Sequence, residues 1–113
     1  MNLNYFADQF VFYHLKKIDY GYLQIIHSNG KEYSFGDSKS NLRVKIKINY
    51  PGFFLKLLRK GSSGLGESYI NNEFNTNDLS SLIELSARNI NITYKFSGFF
   101  QFFFINKFLN KNI

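Results

Sequence analysis

Residues 42–49 read Leu42-Arg43-Val44-Lys45-Ile46-Lys47-Ile48-Asn49 and alternate without a break. Leu42, Val44, Ile46 and Ile48 fall on one side of an extended chain, and Arg43, Lys45 and Lys47 on the other, because successive strand side chains point to opposite faces. The β-branched residues of the apolar side suit a pleated, half-buried surface. A strand with one wet face belongs to a sheet covered on one side only. That requirement organises the rest of the chain.

Upstream, Tyr22-Leu23-Gln24-Ile25-Ile26-His27 and Lys31-Glu32-Tyr33-Ser34-Phe35-Gly36 flank Ser28-Asn29-Gly30. Asn-Gly between two β-rich runs predicts a hairpin, since both residues accept positive φ. In residues 2–17, Leu3, Phe6, Phe10 and Tyr13 recur at three-and-four spacing, which predicts a helix with one apolar face, a broad one because Phe12 and Leu15 fall off the stripe. Pro51 suits a first helical turn. Phe53, Phe54, Leu57 and Leu58 continue it as a short amphipathic helix ending at Gly61. Asn75, Thr76, Asn77 and Asp78 offer capping side chains for a further helix, marked by Leu79, Leu82, Ile83, Ala87 and Ile90 and reaching about residue 89. The expected fold is α+β: a small antiparallel sheet, made of the hairpin and a third strand, covered by amphipathic helices. The domain is expected over residues 1–90, with 91–113 as an aromatic and basic tail.

The chain has no cysteine, which excludes a disulfide framework and a thiol nucleophile. Two histidines, His14 and His27, are too few for a zinc site without carboxylate help. The net charge of +6 favours an anionic partner: phospholipid head groups, nucleic acid or an acidic protein face. Abundant Phe, Tyr, Ile, Lys and Asn also point to an AT-rich coding sequence, which discounts the charge and the aromatics as functional signals. The N-terminal residues lack the basic leader and apolar core of a signal peptide, and no apolar run approaches the about 20 residues of a membrane span. The expected location is the cytoplasm, with peripheral contact at the inner membrane surface.

Residues 61–74, GSSGLGESYINNEF, follow the basic segment Lys56-Leu57-Leu58-Arg59-Lys60 and crowd Gly61, Gly64 and Gly66 together. The G-x-x-G-x-G spacing reverses the dinucleotide fingerprint, and no Lys-Ser/Thr pair follows as in a P-loop. A nucleotide loop also needs an apolar strand feeding it, whereas the charges of FFLKLLRK fit a helix. These glycines are read as ending one helix and turning the chain tightly into the next element.

Taken with its surroundings, the segment resembles the small N-terminal domain of the cyclopropane-fatty-acyl-phospholipid synthase family. The resemblance rests on Gly64-Leu65-Gly66-Glu67-Ser68-Tyr69, on Glu73-Phe74 and on Asp78-Leu79, after a hairpin and a strand in the same order. It covers about residues 10–90. Asn72 stands where the family usually has Gly, and Asn tolerates the left-handed conformation best after Gly. The family's S-adenosylmethionine-binding methyltransferase domain would follow Ile113, so no catalytic residue carries over and no cofactor is expected within this chain. The order of elements is also similar to that of sterol-carrier-like lipid-binding domains, as a fold-level analogy.

The resemblance implies a non-catalytic accessory module that engages lipid or membrane and docks to its own methyltransferase domain or to a second copy. The complete enzyme would methylate or cyclopropanate unsaturated phospholipid acyl chains in lipid biosynthesis. Gly64, Gly66, Glu67, Tyr69, Asn72 and Phe74 are then family-motif positions that pack the domain and shape its lipid-facing surface. From the residues alone, Glu67 is expected to accept backbone amides freed by the glycines, and Tyr69 to be a core aromatic. Arg43, Lys45 and Lys47, with Lys56, Arg59 and Lys60, are candidate phospholipid head-group contacts, each adding about 1 kcal/mol near an anionic membrane. The plainer reading is a solvated strand face. Phe99, Phe100, Phe102, Phe103, Phe104 and Phe108 are read as core filling, a surface for the further domain or a membrane patch. A free-standing lipid carrier is the alternative function. A nucleic-acid-binding module ranks third, because no helix-turn-helix, zinc finger or RNA-binding aromatic motif accompanies the charge.

Overall fold

The computed structural model describes residues 2–96. Helix α1 spans Leu3–Leu15, strands β1, β2 and β3 span Tyr22–Ile26, Glu32–Gly36 and Arg43–Ile48, and helix α2 spans Phe53–Ile70. Strand β4 (Phe74–Thr76) and helix α3 (Leu79–Arg88) follow. Residues 90–96 form a last helix, α4. The four strands lie in the order β2-β1-β3-β4. The fold is α+β, with the helices packed on one face of the sheet.

The alternation read in residues 42–49 sets this arrangement. Val44, Ile46 and Ile48 are buried together with Leu23 and Ile25 of β1, Phe35 of β2 and Phe74 of β4. Arg43, Lys45 and Lys47 are exposed on the opposite, uncovered face. The helices close the covered face with Val11, Phe12 and Leu15 of α1, Phe53 and Phe54 of α2, Leu82 and Leu85 of α3, and Ile92 and Phe96 of α4. Full burial of each such side chain contributes roughly 1.5–3 kcal/mol. Because Ile92 and Phe96 belong to this core, the domain runs past the boundary expected at residue 90. The Phe-rich stretch 99–108, and the roles read for it, lie outside the described residues.

The sheet is mixed, which corrects the antiparallel expectation. β1 pairs with β2 antiparallel, as the Asn-Gly turn implied, but with β3 in parallel, Leu23 facing Val44 and Ile25 facing Ile46. The reason is the path of residues 37–42. From the end of β2 they step across the start of β1: Asp37 N–H donates to Gly21 O, and Tyr22 N–H donates to Leu42 O. The crossing brings backbone against backbone so closely that a Cβ at Gly36, whose φ is +91°, would stand 2.2 Å from Gly21 O. Only glycine fits there.

Helix α1 is rotated relative to the sequence expectation. Leu3, Phe6, Phe10 and Tyr13 point outward, 43–57% exposed, whereas Phe12 and Leu15 are core residues. The helix is apolar on both sides, so its own period does not choose between them. The partners choose. Phe12 stacks on Tyr33 at 4.3 Å and meets Phe54 edge-on at 5.5 Å. One turn earlier, Asp8 Oδ2 lies 2.8 Å from His27 Nε2 at the end of β1, which pins the rotation.

Candidate functional site

Behind the sheet, the four helices leave an apolar cavity of about 280 Å³. Its floor is Leu23 and Ile25 of β1 with Ile46 of β3; α1 contributes Val11 and Leu15, and α2 contributes Phe53, Phe54, Leu57, Gly61, Ser62 and Leu65. Leu82, Leu85 and Ser86 of α3 and Ile90, Thr93, Tyr94 and Phe96 from the α4 region close the remaining side. Among the described residues, no charged side chain is in the lining. Of its hydroxyls, Thr93 Oγ1 donates to Ser86 O at 2.7 Å. Ile90 and Tyr94 are both exposed, so the cavity has a rim at the surface. Apolar walls with a few hydroxyls suit a hydrocarbon chain whose polar group stays outside.

Two local devices shape this space. The first is the break in α2. Gly61 takes φ +60° and ψ −137°, splitting the helix into residues 53–60 and 62–70, which fold together. A Cβ at the buried Gly64 would lie 2.9 Å from both Lys56 O and Lys60 Cβ. The turn therefore occurs where the sequence expected it, and it carries Leu65 into the cavity wall while Gly66 faces open space.

Ion pairs hold the two halves. Glu67 reaches Lys56 at 3.1 Å and Lys60 at 3.0 Å, and Lys56 also bonds Glu73 at 2.9 Å. Glu73 accepts from the buried Ser68 hydroxyl at 2.7 Å. Hydrogen bonds from Lys60 and Lys56 hold the Glu67 carboxyl below its ordinary value, and those from Lys56 and Ser68 do the same for Glu73. The Lys56 ammonium is raised, first by Glu73. Glu67 thus meets lysines, where backbone amides were expected. Tyr69 is half exposed and tilted against the fully buried Phe74 at 5.8 Å, rather than a core residue. Asn72 adopts φ +57°, the left-handed conformation anticipated for it.

The second device is Asn89, which is fully buried just before α4. Its Oδ1 accepts from the backbone N–H groups of Asp19 and Tyr20, each at 3.2 Å, while Nδ2 donates to Tyr20 O at 2.8 Å and to Leu85 O at 2.9 Å. One side chain ties the α1–β1 connection to the α3–α4 junction, about 70 residues away along the chain. Sequence reasoning passed over Asn89, because an Asn after a helix reads locally as a helix stop.

The predicted basic residues separate into two groups. Arg43, Lys45 and Lys47 share the open sheet face, where the Arg43 guanidinium stacks 4.6 Å over Tyr22 and also donates to Ser38 O. Lys56 and Lys60 are bound to carboxylates on the helical side, next to exposed Arg59. The six do not gather into one surface.

The two histidines also fall into place. With Nε2–H directed to Asp8, His27 Nδ1 accepts from the Ser28 hydroxyl at 3.2 Å, forming an Asp8–His27–Ser28 chain of hydrogen bonds. Burial raises the Asp8 carboxyl, and His27 opposes that rise. The turn amides beside Ser28 are engaged: Gly30 N–H donates to His27 O and Lys31 N–H to Asn29 Oδ1. None of the three residues lines the cavity. The chain of bonds anchors α1 to the hairpin. His14 packs between Phe10 at 4.6 Å and Phe96 at 6.3 Å, and burial, then Lys95 and Lys17, depress its pKa.

Among the described residues, no group of three or more His, Asp or Glu side chains could hold a metal ion, and no helix is long and apolar enough to cross a membrane. No family model, curated protein or solved structure matches this chain.

Proposed function

We propose that this chain is a non-catalytic lipid-engaging module that takes an acyl chain of a membrane phospholipid into the apolar cavity. The observation that carries the reading is the lining itself: among the described residues, apolar walls without a charged group, opening at Ile90 and Tyr94. A free fatty acid would bring a carboxylate with no cation in the lining to meet it. A phospholipid keeps its phosphate outside, and an uncharged tail alone enters. The cavity accommodates part of a long acyl chain and is near the lower end of ligand-site volumes, which begin at about 300 Å³.

The resemblance to the cyclopropane-synthase N-terminal domain supplies the setting: an accessory domain that presents unsaturated acyl chains to an S-adenosylmethionine-dependent catalytic domain. Within this reading the motif residues support rather than bind. Gly64, Glu67 and Phe74 hold the two halves of α2 together, Asn72 turns the chain from α2 towards β4, and Leu65 lies in the cavity wall. A free-standing carrier is the second reading, favoured by a cavity formed within one chain.

Organic extraction of the purified protein followed by lipid mass spectrometry tests the binding. Acyl lipid should be recovered from the parent chain and lost from Ser86→Phe, whose ring fills the cavity, while the variant keeps its thermal stability. Equal lipid recovery from both proteins would refute the reading. Near-stoichiometric retention through purification distinguishes a carrier from an accessory domain. A glycine-rich methyltransferase loop encoded beyond residue 113 would support the accessory setting.

A further inference from the structure

The outward side of α1 is unexplained by the cavity: none of Leu3, Phe6, Phe10 and Tyr13 lines it. These residues and Tyr5 form a stripe along a helix of 13 residues, roughly 20 Å long. Each is about half exposed, so the four rings alone leave on the order of 400 Å² of aromatic surface in water. An apolar patch of that size equals the largest on an ordinary monomer, and such patches are often functional.

Its charges identify the contact. The only acid of α1, Asp8, is turned inward onto His27, so the exposed positions of the helix carry no negative charge. At the C-terminal end the exposed Lys16 and Lys17 follow, with the Lys17 ammonium lying 4.4 Å over the Tyr13 ring. Lys95 of α4 stands close enough to act on His14. By a rotation of 100° per residue, Leu3 and Phe10 lie along one edge of the exposed side, Phe6 and Tyr13 along its middle, and Gln9, Lys16 and Tyr5 towards the other edge. Apolar side chains over one half of the exposed side, polar and tyrosine side chains towards the other and lysines at the end are the pattern of a helix lying in a membrane interface. We infer that α1 docks this protein onto an anionic bilayer, inserting Phe6 and Phe10 among the acyl chains while Lys16 and Lys17 meet lipid phosphates.

The surface connects to the cavity through two successive ring contacts. Phe10 meets His14, His14 meets Phe96, and Phe96 forms part of the cavity wall. The inference deepens the lipid-engaging reading by naming the surface that meets the membrane, yet it does not require an occupied cavity.

The full chain contains no Trp, so Phe10→Trp places a single reporter on the stripe. Its emission should shift to the blue on vesicles of phosphatidylglycerol, much less on phosphatidylcholine. Co-sedimentation with the same vesicles should fall at least tenfold for Phe6→Ser/Phe10→Ser and for Lys16→Glu/Lys17→Glu. Both double variants should keep the parent's melting temperature, because the replaced side chains face solvent. Ser86→Phe should lose extractable lipid but still pellet with phosphatidylglycerol, which separates failure of the cavity reading from failure of this one.

Parent-like sedimentation of both double variants overturns the inference. So does a parent dimer that Phe6→Ser/Phe10→Ser dissolves without changing vesicle binding, since the occupant is then a second copy. A large loss of melting temperature in that variant also overturns it, because the stripe is then already covered within the chain.

Discussion

Replacing Asn89 with Ala removes the side chain whose hydrogen bonds join the α1–β1 connection to the α3–α4 junction. Four hydrogen bonds disappear, and their partners fare differently. Leu85 O still accepts the backbone N–H of residue 89, so its loss is minor. The amides of Asp19 and Tyr20 and the carbonyl of Tyr20 lose the bonds described above in a half-buried setting. An unmatched group of this kind costs about 1–1.5 kcal/mol, giving roughly 3–4 kcal/mol in total. That is a large share of the about 5–15 kcal/mol of a domain. It corresponds to a fall in melting temperature of about 12–25 °C for a domain of this length. Urea unfolding followed by circular dichroism measures the loss, and hydrogen exchange locates it at the Asp19 and Tyr20 amides. Asn41→Ala, at an exposed Asn, should cost under about 0.5 kcal/mol. An Asn89→Ala cost below about 1 kcal/mol, with exchange unchanged at those two amides, would refute the clamp.

Gly36→Ala should cost several kcal/mol in urea unfolding, because the new methyl meets Gly21 O. Gly30→Ala, also at positive φ but facing open space, should cost only about 1 kcal/mol. Stability should fall with pH in two stages in chemical unfolding curves. His14 has a native pKa below its unfolded value of 6.5, so the unfolded chain takes the proton first and stability begins to drop below pH 6.5. Glu67 and Glu73 are depressed below 4.5, so their contribution is complete above that value and is lost as pH falls further. His14→Gln should flatten the upper stage and leave the lower one. Lys56→Met should shrink the lower stage, because Glu73 and Glu67 both lose their shared cation and their carboxyls return towards the unfolded value.

Much of this architecture was legible along the chain. The alternation in residues 42–49 named the buried and wet sides of β3, Asn29-Gly30 placed the hairpin, and Asp78 marked the start of α3, where its side chain accepts Ser81 N–H. Gly61 and Asn72 were recognisable as points where backbone conformation needs those residue types. Each of these signals is complete within a few residues, because hydrogen-bonded turns, caps and side-chain periods are local properties.

Other features depend on partners far away in sequence. An α1 apolar on two sides offers two possible inward faces, and Phe12 was selected by Tyr33 and Phe35 of β2 and Phe54 of α2. The parallel pairing of β1 with β3 follows from residues 37–42 crossing the start of β1, and strand composition carries no trace of that route. Asn89 became a clamp only when residues 19 and 20 were brought against it. The cavity belongs to no segment, since it is the space that four helices leave above one sheet. The sequence by itself determined which stretches become strands, helices and turns; the tertiary structure alone decided which apolar faces meet and which stay open, because burial is a relation between elements and not a property of any one of them.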